Sequence, residues 1–338
     1  LAPVVQDRIV QCHRRLEDQA QAFRSREVLY TTYSQGSDWW NRNTDAAVRK
    51  RALLQVESAL RDNITVLLNR GQETGQIEFF QQAVLQSRKY LDSFTADSSA
   101  ALIHWNMALT MDTKLKQTQQ AFDEYLRISN LYWNSPYQRF AATNAVALAR
   151  DAALTEIADA ERTAQQIVSL ADLQKETKNP QGVKFRERMK LEPRQLTAEE
   201  QRLAQAYDNY IKLFPHDAET PVFLANAGAL YYHRHQYKEA LKYFNTLLRH
   251  FPGSEEFAQA RSAIMESYFG KADFRSAEII ARRIANSDAS EETKIRASRR
   301  LAESIYLAAE MLAEEDKHLE AGNEYRRVVT EAPNSTFA

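Results

Sequence analysis

Two closely spaced histidines are the residues of this chain whose types most directly suggest metal chemistry. The 338-residue sequence contains seven histidines, and His233 and His235 are separated by a single residue. An i, i+2 spacing on a helix directs two side chains to different faces, and no third ligand of matching geometry is evident in the sequence. We therefore predict no metal and no cofactor, and we interpret both histidines as surface or interface residues.

The single cysteine, Cys12, could in principle act as a nucleophile or a metal ligand. One cysteine cannot form an internal disulfide framework or a cysteine-based zinc cage. Cys12 belongs to a helical apolar pattern with Val5, Ile9 and Leu16. This pattern favours a buried structural thiol over a reactive one, and we expect Cys12 to be buried.

Sequence motifs of catalysis are absent from the chain. There is no Gly-rich phosphate loop, no G-x-S-x-G motif and no H-E-x-x-H motif. The acidic cluster 314–316 is most simply the solvated end of a helix. The 44 basic and 45 acidic residues give a net charge of −1, so no global attraction to nucleic acid is expected. No apolar run reaches the roughly 18 residues that a membrane-spanning helix needs. We predict that the chain is not an enzyme.

Paired aromatic residues are the remaining candidates for a binding site. Trp39 and Trp40 follow a turn rich in Gly, Ser and Asn, where they could either pack or contact a partner. Tyr132 and Trp133, with Tyr137, could form a stacking platform for a sugar, a peptide or a base. No basic residues are interleaved with these aromatic residues, which argues against a nucleic-acid site and favours a protein partner.

The elements that would position these residues follow from a repeated pattern of small and aromatic residues. Three segments carry a small residue, then large or small apolar residues four and seven positions later, and two of them carry a proline at the twelfth: Ala240, Phe244, Leu247 and Pro252; Ala277, Ala281 and Ile284; Ala321, Tyr325, Val328 and Pro333. Offsets of four and seven lie on one helix face, and proline ends the helix. Repetition of this unit predicts an array of helical hairpins.

The repeated unit resembles the tetratricopeptide repeat (TPR). Residues 221–254 carry its pattern of large, small and aromatic positions: Leu224, Ala227, Gly228, Tyr231, Ala240, Phe244 and Pro252. Weaker copies occupy 102–135, with Asp112 where the family has Tyr, and 302–335. The resemblance implies an all-α fold, a right-handed solenoid of antiparallel helix hairpins. Aromatic-Pro pairs at hairpin ends are also similar to those of periplasmic TPR proteins of the bacterial envelope, although cytoplasmic relatives share them.

The pattern divides the chain into four segments. Residues 1–71 form long N-terminal helices, which we expect over 3–31 and 44–70, and residues 72–172 form a first TPR-like block. Residues 173–197 are polar and lack apolar periodicity, so we predict an insertion or loop that is the most mobile internal region. Residues 198–338 form a second TPR-like block, which we expect to continue beyond residue 338.

The resemblance also implies a function, because the first helix of each TPR hairpin lines a groove that accepts a segment of a partner protein. We expect a non-enzymatic interaction scaffold, whose glutamates favour a basic ligand segment. The candidate partner-binding residues are Tyr232, His233, Glu266, Phe269, Tyr306, Glu310, Asn106, Trp39 and Trp40. The alternatives are an accessory helical arm of a larger enzyme and a structural subunit of a large assembly. A periplasmic or envelope location is expected, with the cytoplasm as the alternative.

Overall fold

The computed structural model describes residues 2–171, 192–333 and 335–337, and side chains are described outside 157–171. Within these residues every regular element is a helix, and no strand occurs. The predicted all-α class is confirmed. No helix in the described residues is long and apolar enough to cross a membrane.

The chain forms two compact units, residues 1–148 and 149–338. The first contains α1 (Ala2–Arg15), α2 (Gln19–Tyr33), α3 (Asp38–Arg42), α4 (Ala46–Thr74), α5 (Ile77–Ser93), α6 (Ala100–Thr113), α7 (Thr118–Leu131) and the beginning of α8 (Pro136–Ala171). The second contains the rest of α8, then α9 (Ala198–Leu213), α10 (Thr220–His233), α11 (Tyr237–His250), α12 (Phe257–Gly270), α13 (Phe274–Ala285), α14 (Glu291–Glu314) and α15 (His318–Glu331).

In the second unit each helix from α9 to α14 packs against the next one, and in the first unit α1 packs on α2, α2 on α4, and each helix from α4 to α6 on the next. The connections are short, and short connections between packed helices require antiparallel neighbours. In the second unit, the first helices of neighbouring hairpins (α10, α12 and α14) also contact one another in order. These hairpins therefore stack as a TPR-like solenoid, in which each hairpin buries its apolar face against its neighbours.

The turn within several hairpins uses a left-handed backbone at a residue other than glycine, whereas Gly75 has this backbone between α4 and α5. The turn residues are Lys116, His235, Ala272 and Asp316, with φ between 55° and 60°. In the three hairpins of the second unit, the next residue donates its N–H to the carbonyl five positions earlier, at 2.9 Å in each case. These bonds satisfy carbonyls that the end of the first helix leaves free.

A second turn joins one hairpin to the next and is fixed by a tyrosine and an aspartate. The Tyr90 hydroxyl donates to Asp97 at 2.7 Å, and the Tyr210 hydroxyl donates to Asp217 at 2.9 Å. Both pairs span seven residues, and both tyrosines are fully buried. In the third copy of this turn Ser254 replaces the aspartate, and its hydroxyl oxygen is buried without a hydrogen-bond partner.

Small residues of the repeated pattern are buried between the helices. Ala240 is 0% exposed and Ala321 is 2% exposed. A Cβ atom added to Gly228 would lie 2.5 Å from the Phe244 ring, which is closer than any side chain tolerates. The first and second helices of this hairpin are thus held together by a glycine–phenylalanine contact.

The prediction of one helix over 3–31 is wrong. Helix α1 ends at Arg15, Glu17 takes a φ of 57°, and α2 begins at Gln19. Asp18 caps α2 by accepting a hydrogen bond from the N–H of Gln21 at 3.0 Å. A side chain that satisfies a free N–H at a helix start favours the break over a continuous helix.

The expectation that Cys12 is buried is also wrong, because its side chain is exposed. Helix α1 turns a different face towards the core, on which Pro3 and Val10 are buried. On that face the Gln6 amide donates to the Ser25 carbonyl of α2 at 3.1 Å. The apolar pattern that contains Cys12 consequently faces away from the core.

Residues 173–191 of the predicted polar loop lie outside the described residues. Residues 192–197 have no regular secondary structure and lead into α9. The start of α9 is a capping box: Thr197 accepts from the N–H of Glu200, and Glu200 accepts from the N–H of Thr197. The four-segment division and the mobility of the loop stay predictions, which limited proteolysis would test.

Candidate functional site

The candidate site lies on the first helices α10, α12 and α14 of the second unit. Tyr232 and Phe269 each precede the left-handed turn residue of their own hairpin by three positions, so the stack places them at equivalent points. Tyr306 precedes its turn residue by ten positions and occupies a different point on α14. All three rings are half-buried. We call this surface the α10–α12–α14 face.

Arg300 of α14 contacts residues of both α12 and α14 on this face. Its Nη2 and Nε atoms donate to the two carboxylate oxygens of Glu266 at 2.6 and 3.2 Å, and its Nη1 donates to Glu303 at 2.6 Å. The guanidinium also lies over the Phe269 ring, 3.8 Å from the centroid. A planar guanidinium suits both contacts, since it binds a carboxylate through two hydrogen bonds and stacks on an aromatic ring.

This arrangement changes the electrostatics that the sequence predicted. Glu266 and Glu303 share one internal cation, so they are not free carboxylates that await a basic ligand. The same charged groups affect Tyr232. Burial raises the pKa of its hydroxyl, the nearby Glu266 raises it further, and Arg300 lowers it. The ring is therefore neutral at physiological pH and offers a hydroxyl donor beside an apolar surface.

Tyr306 and Glu310 belong to a second group on the same helix. The Tyr325 hydroxyl of α15 donates to Glu310 at 2.6 Å, and its ring centroid lies 5.8 Å from that of Tyr306. Burial, followed by the hydrogen bond to Glu310, raises the pKa of Tyr325 to about 12. Phe337 covers the Tyr306 ring from another side, at 5.4 Å between centroids. Tyr306 thus serves partly as packing, and it offers less free surface than a groove residue would.

The two histidines lie at the end of α10 without a metal-binding arrangement. His233 is exposed, and its ring lies 5.7 Å from that of Tyr232. His235 is the left-handed turn residue, and its Nδ1 lies 3.1 Å from the carbonyl oxygen of Glu192. Among the side chains that the structure describes, no three His, Cys, Asp or Glu residues are grouped as a metal site.

The other three candidate residues, Trp39, Trp40 and Asn106, lie in the first unit. Trp39 packs edge-on against Tyr33, with ring centroids 5.2 Å apart. The Trp40 carbonyl accepts from Arg49 at 2.9 Å, and the same guanidinium lies 4.9 Å from the Trp40 ring. Both tryptophans hold the turn before α4, which supports packing as their role.

Asn106 lies on α6, next to an aromatic group that the sequence did not predict. Trp105 stacks on Tyr137 at 5.8 Å between centroids, and Phe140 lies 6.2 Å from Trp105. The predicted platform is divided. Its Tyr132 hydroxyl lies 3.2 Å from Nδ1 of the buried His104, and Trp133 is 69% exposed.

The residue that sequence reasoning missed is Arg300. Its spacing of three from Glu303 predicts a local ion pair on a helix. Its pairing with Glu266, 34 positions earlier, depends on the stacking of two hairpins and has no local signal.

Comparison with known proteins gives only distant structural likenesses. No protein-family model and no curated protein matches the chain. A TPR protein from Parabacteroides merdae is 12% identical over 98% of this chain and 94% of its own, with a TM-score of 0.25. The TPR2AB-domain:pHSP90 complex of yeast Sti1 is 14% identical over 91% of this chain and 98% of its own, with a TM-score of 0.26.

A third structure is a signal-transduction ATPase with a TPR sensor, from Pyrococcus horikoshii. It is 14% identical over 96% of this chain and 54% of its own, with a TM-score of 0.29. TM-scores of 0.25 to 0.29 are too low to assign the fold, which is therefore assigned from the packing of the helices. On that basis the chain is an all-α array of TPR-like helix hairpins.

Proposed function

We propose that the chain is a non-enzymatic protein-interaction scaffold, and that its α10–α12–α14 face binds a segment of a partner protein. The observation that carries this proposal is the placement of half-buried aromatic rings, Tyr232 and Phe269, at equivalent points on successive stacked helices. Aromatic side chains that keep part of their surface in water are the residues that most often anchor protein interfaces.

The network around Arg300 supports the same role, because it fixes the shape of the surface before a partner arrives. Glu266, Phe269 and Glu303 all contact one guanidinium, so their side chains have lost their freedom already. Binding to a surface that is ordered in advance costs less entropy. The partner segment therefore gains most from the rings of Tyr232 and Phe269, and less from the carboxylates.

The test is affinity purification of the tagged chain from its own cells, followed by mass spectrometry. The variant Tyr232→Ala/Phe269→Ala removes both rings and should reduce the binding free energy by about 1–3 kcal/mol per ring. The complex should then dissociate at low protein concentration. Trp133→Ala is the matched control, since it removes a more exposed ring of the first unit. Equal melting temperatures would show that the variants fold.

We expect the partner to co-purify with the original chain and with Trp133→Ala, and not with Tyr232→Ala/Phe269→Ala. Loss with Trp133→Ala alone would move the site to the first unit. Retention by the double variant would reject the α10–α12–α14 face. The purified complex should then be reconstituted with the identified partner, so that the affinity is measured directly.

We further propose an envelope location, which rests on the aromatic-Pro pairs at hairpin ends, such as Phe214-Pro215 and Phe251-Pro252. Fractionation of cells that carry the full-length protein would test this location. Recovery in the cytoplasmic fraction alone would reject it.

A further inference from the structure

Helix α1 carries an apolar stripe that nothing in the described residues covers. Val5 is 56% exposed, Ile9 is 41% exposed and Leu16 is 74% exposed, and Cys12 lies between the last two and is exposed as well. Leu16 follows the end of α1, but its N–H still bonds to the Cys12 carbonyl at 3.1 Å, so it continues the helical path. We call these four residues the α1 stripe.

The spacing of the α1 stripe is that of a seam between two helices. Its members are separated by four, three and four positions, which is the alternation of the apolar positions in a heptad. The face that packs on α2 and α4 is a different one and contains Pro3 and Val10. Helix α1 therefore has one apolar face for its own core and a second, narrow one that points outwards.

Two arginines flank the α1 stripe on one side. Arg8 and Arg15 each immediately precede a stripe residue and are seven positions apart, and both are exposed. Neither forms a hydrogen bond or ion pair with any other described side chain. In a helix pair, these flanking positions face the partner helix and select its charge. Two unpaired cations in these positions call for carboxylates on the partner.

We propose that the α1 stripe binds an amphipathic helix of another protein, one whose apolar seam is flanked by Asp or Glu. The stripe supplies the apolar contacts, and Arg8 and Arg15 supply the charge that selects the partner. This site belongs to the first unit and is independent of the α10–α12–α14 face.

Two other occupants fit the stripe less well. A second copy of α1 would bring Arg8 towards Arg15 or His13 of its mate, which places like charges opposite each other. An anionic membrane would attract the arginines. However, helices that lie in a membrane surface present a broad apolar face, often with Trp or Phe, and the α1 stripe is a single narrow row without an aromatic residue.

The experiment uses two synthetic helical peptides of about three heptads, with Leu at the seam positions. One peptide carries Glu at the flanking positions and the other carries Lys, and each has one Cys at a central seam position. Binding to the intact chain is measured by calorimetry. Disulfide formation between the peptide and Cys12, the only cysteine of the chain, reports whether the peptide lies on the stripe. Cys12→Ser is the control for that reaction.

We expect the Glu peptide to bind at least about tenfold more tightly than the Lys peptide, and to crosslink to Cys12. Arg8→Glu/Arg15→Glu should reverse the preference, and Val5→Asp/Ile9→Asp should remove binding of both peptides. Leu85→Asp is the matched control: Leu85 is 60% exposed on α5 and should change neither affinity. All the substituted side chains are exposed, so the variants should fold.

Equal affinities for the two peptides, or binding that survives Val5→Asp/Ile9→Asp, would overturn the proposal. So would binding to phosphatidylglycerol vesicles that is lost in Val5→Asp/Ile9→Asp, because this result would assign the stripe to a membrane surface. A dimer of the chain that the same variant dissociates, seen by light scattering, would assign the stripe to a second copy.

Discussion

Arg327 on the second helix of the last hairpin donates a hydrogen bond at 2.5 Å to Glu278 on the second helix of the preceding hairpin. The contact is one of three that share a separation of 49 residues: Arg275–Glu324, Glu278–Arg327 and Arg282–Glu331. The charges on α13 run plus, minus, plus, and those on α15 run minus, plus, minus. Each position on one helix therefore meets the opposite charge on the other, and the pattern fixes how far α15 is shifted along α13.

We call these three ion pairs the α13–α15 ladder. Reversing its charges tests whether the ladder sets the register of the two helices. Reversing the α13 charges alone (R275E/E278R/R282E) opposes like charges at three positions, and should lower the free energy of unfolding by about 2–3 kcal/mol, since the pairs are partly exposed. Reversing the α15 charges as well (E324R/R327E/E331R) should recover most of the loss. Urea unfolding measures both effects.

The matched control is the reversal of Glu292 and Arg296 on α14, an ion pair at i, i+4 whose side chains are 84% and 64% exposed. This change should stay within about 0.5 kcal/mol, because exposed pairs contribute little. A sextuple variant no more stable than the α13 triple variant would show that the ladder does not set the register.

Acid should weaken the same ladder. Burial opposes the charge of Glu324, but hydrogen bonds from Arg275 and Arg327 outweigh it and lower the pKa. Hydrogen bonds from Arg327 and Arg282 likewise lower the pKa of Glu331 against a smaller cost of burial. Both carboxyls thus have a lower pKa in the folded state than their ordinary 4.5.

As the pH falls, the unfolded chain takes up these protons first, so the stabilisation is complete above 4.5 and is lost as the pH drops through the folded pKa values. The free energy of unfolding, measured in urea at a series of pH values, should therefore decrease below 4.5. Glu324→Gln/Glu331→Gln should flatten that decrease. An equal slope in the variant would assign the acid sensitivity to other carboxyls, such as Asp97, whose pKa a hydrogen bond from the N–H of Ser99 lowers.

Two glycines should respond to alanine in opposite directions. Gly228→Ala places a methyl group 2.5 Å from the Phe244 ring and should cost about 1–3 kcal/mol. Gly322 lies in α15 with nothing within 4 Å of the added atom, so Gly322→Ala should stabilise by about 0.5–1 kcal/mol through helix propensity. Thermal unfolding of the two variants measures the difference. An unchanged stability of Gly228→Ala would contradict the close approach of α10 and α11 at Gly228 and Phe244.

Glycine should stabilise the left-handed turns. Lys116 and Asp316 are exposed and hold φ values of 55° and 60°. An L side chain is strained there, so Lys116→Gly and Asp316→Gly should each raise the free energy of unfolding by about 0.5–1 kcal/mol, net of the extra freedom of the unfolded chain. Lys238→Gly, at an exposed helical position of α11, is the control and should cost about 1 kcal/mol. Destabilisation at all three sites would argue against the turn geometry.

The helix hairpins could be predicted from the sequence because their determinants are local. The small residues and the prolines recur at helical spacing, and Ala240 and Ala321 are buried where that spacing requires. The two tryptophans before α4 and the break at Asp18 were harder to predict, since a cap or a ring contact competes with a helical pattern of nearly equal strength.

The candidate site was less predictable, because its contacts join residues that are far apart in sequence. The sequence predicts that Glu266 and Glu303 are free carboxylates. In the structure both accept hydrogen bonds from Arg300, because α12 and α14 stack. The α1 stripe shows the same difficulty in reverse. Its apolar spacing predicts burial, while the face that is buried, with Pro3 and Val10, is marked by fewer apolar residues. Periodicity identifies an apolar face, but it does not say whether this chain or another one covers it.

Arg300 has a consequence for what the α10–α12–α14 face can discriminate. A guanidinium tethered within the chain competes with any incoming cation at an effective concentration far above that of a free partner. A single lysine or arginine on a passing protein therefore gains little by approaching Glu266 and Glu303. On the proposed binding face, a segment that also covers the rings of Tyr232 and Phe269 would gain further contacts, and we therefore expect the internal arginine to disfavour ligands that offer charge alone.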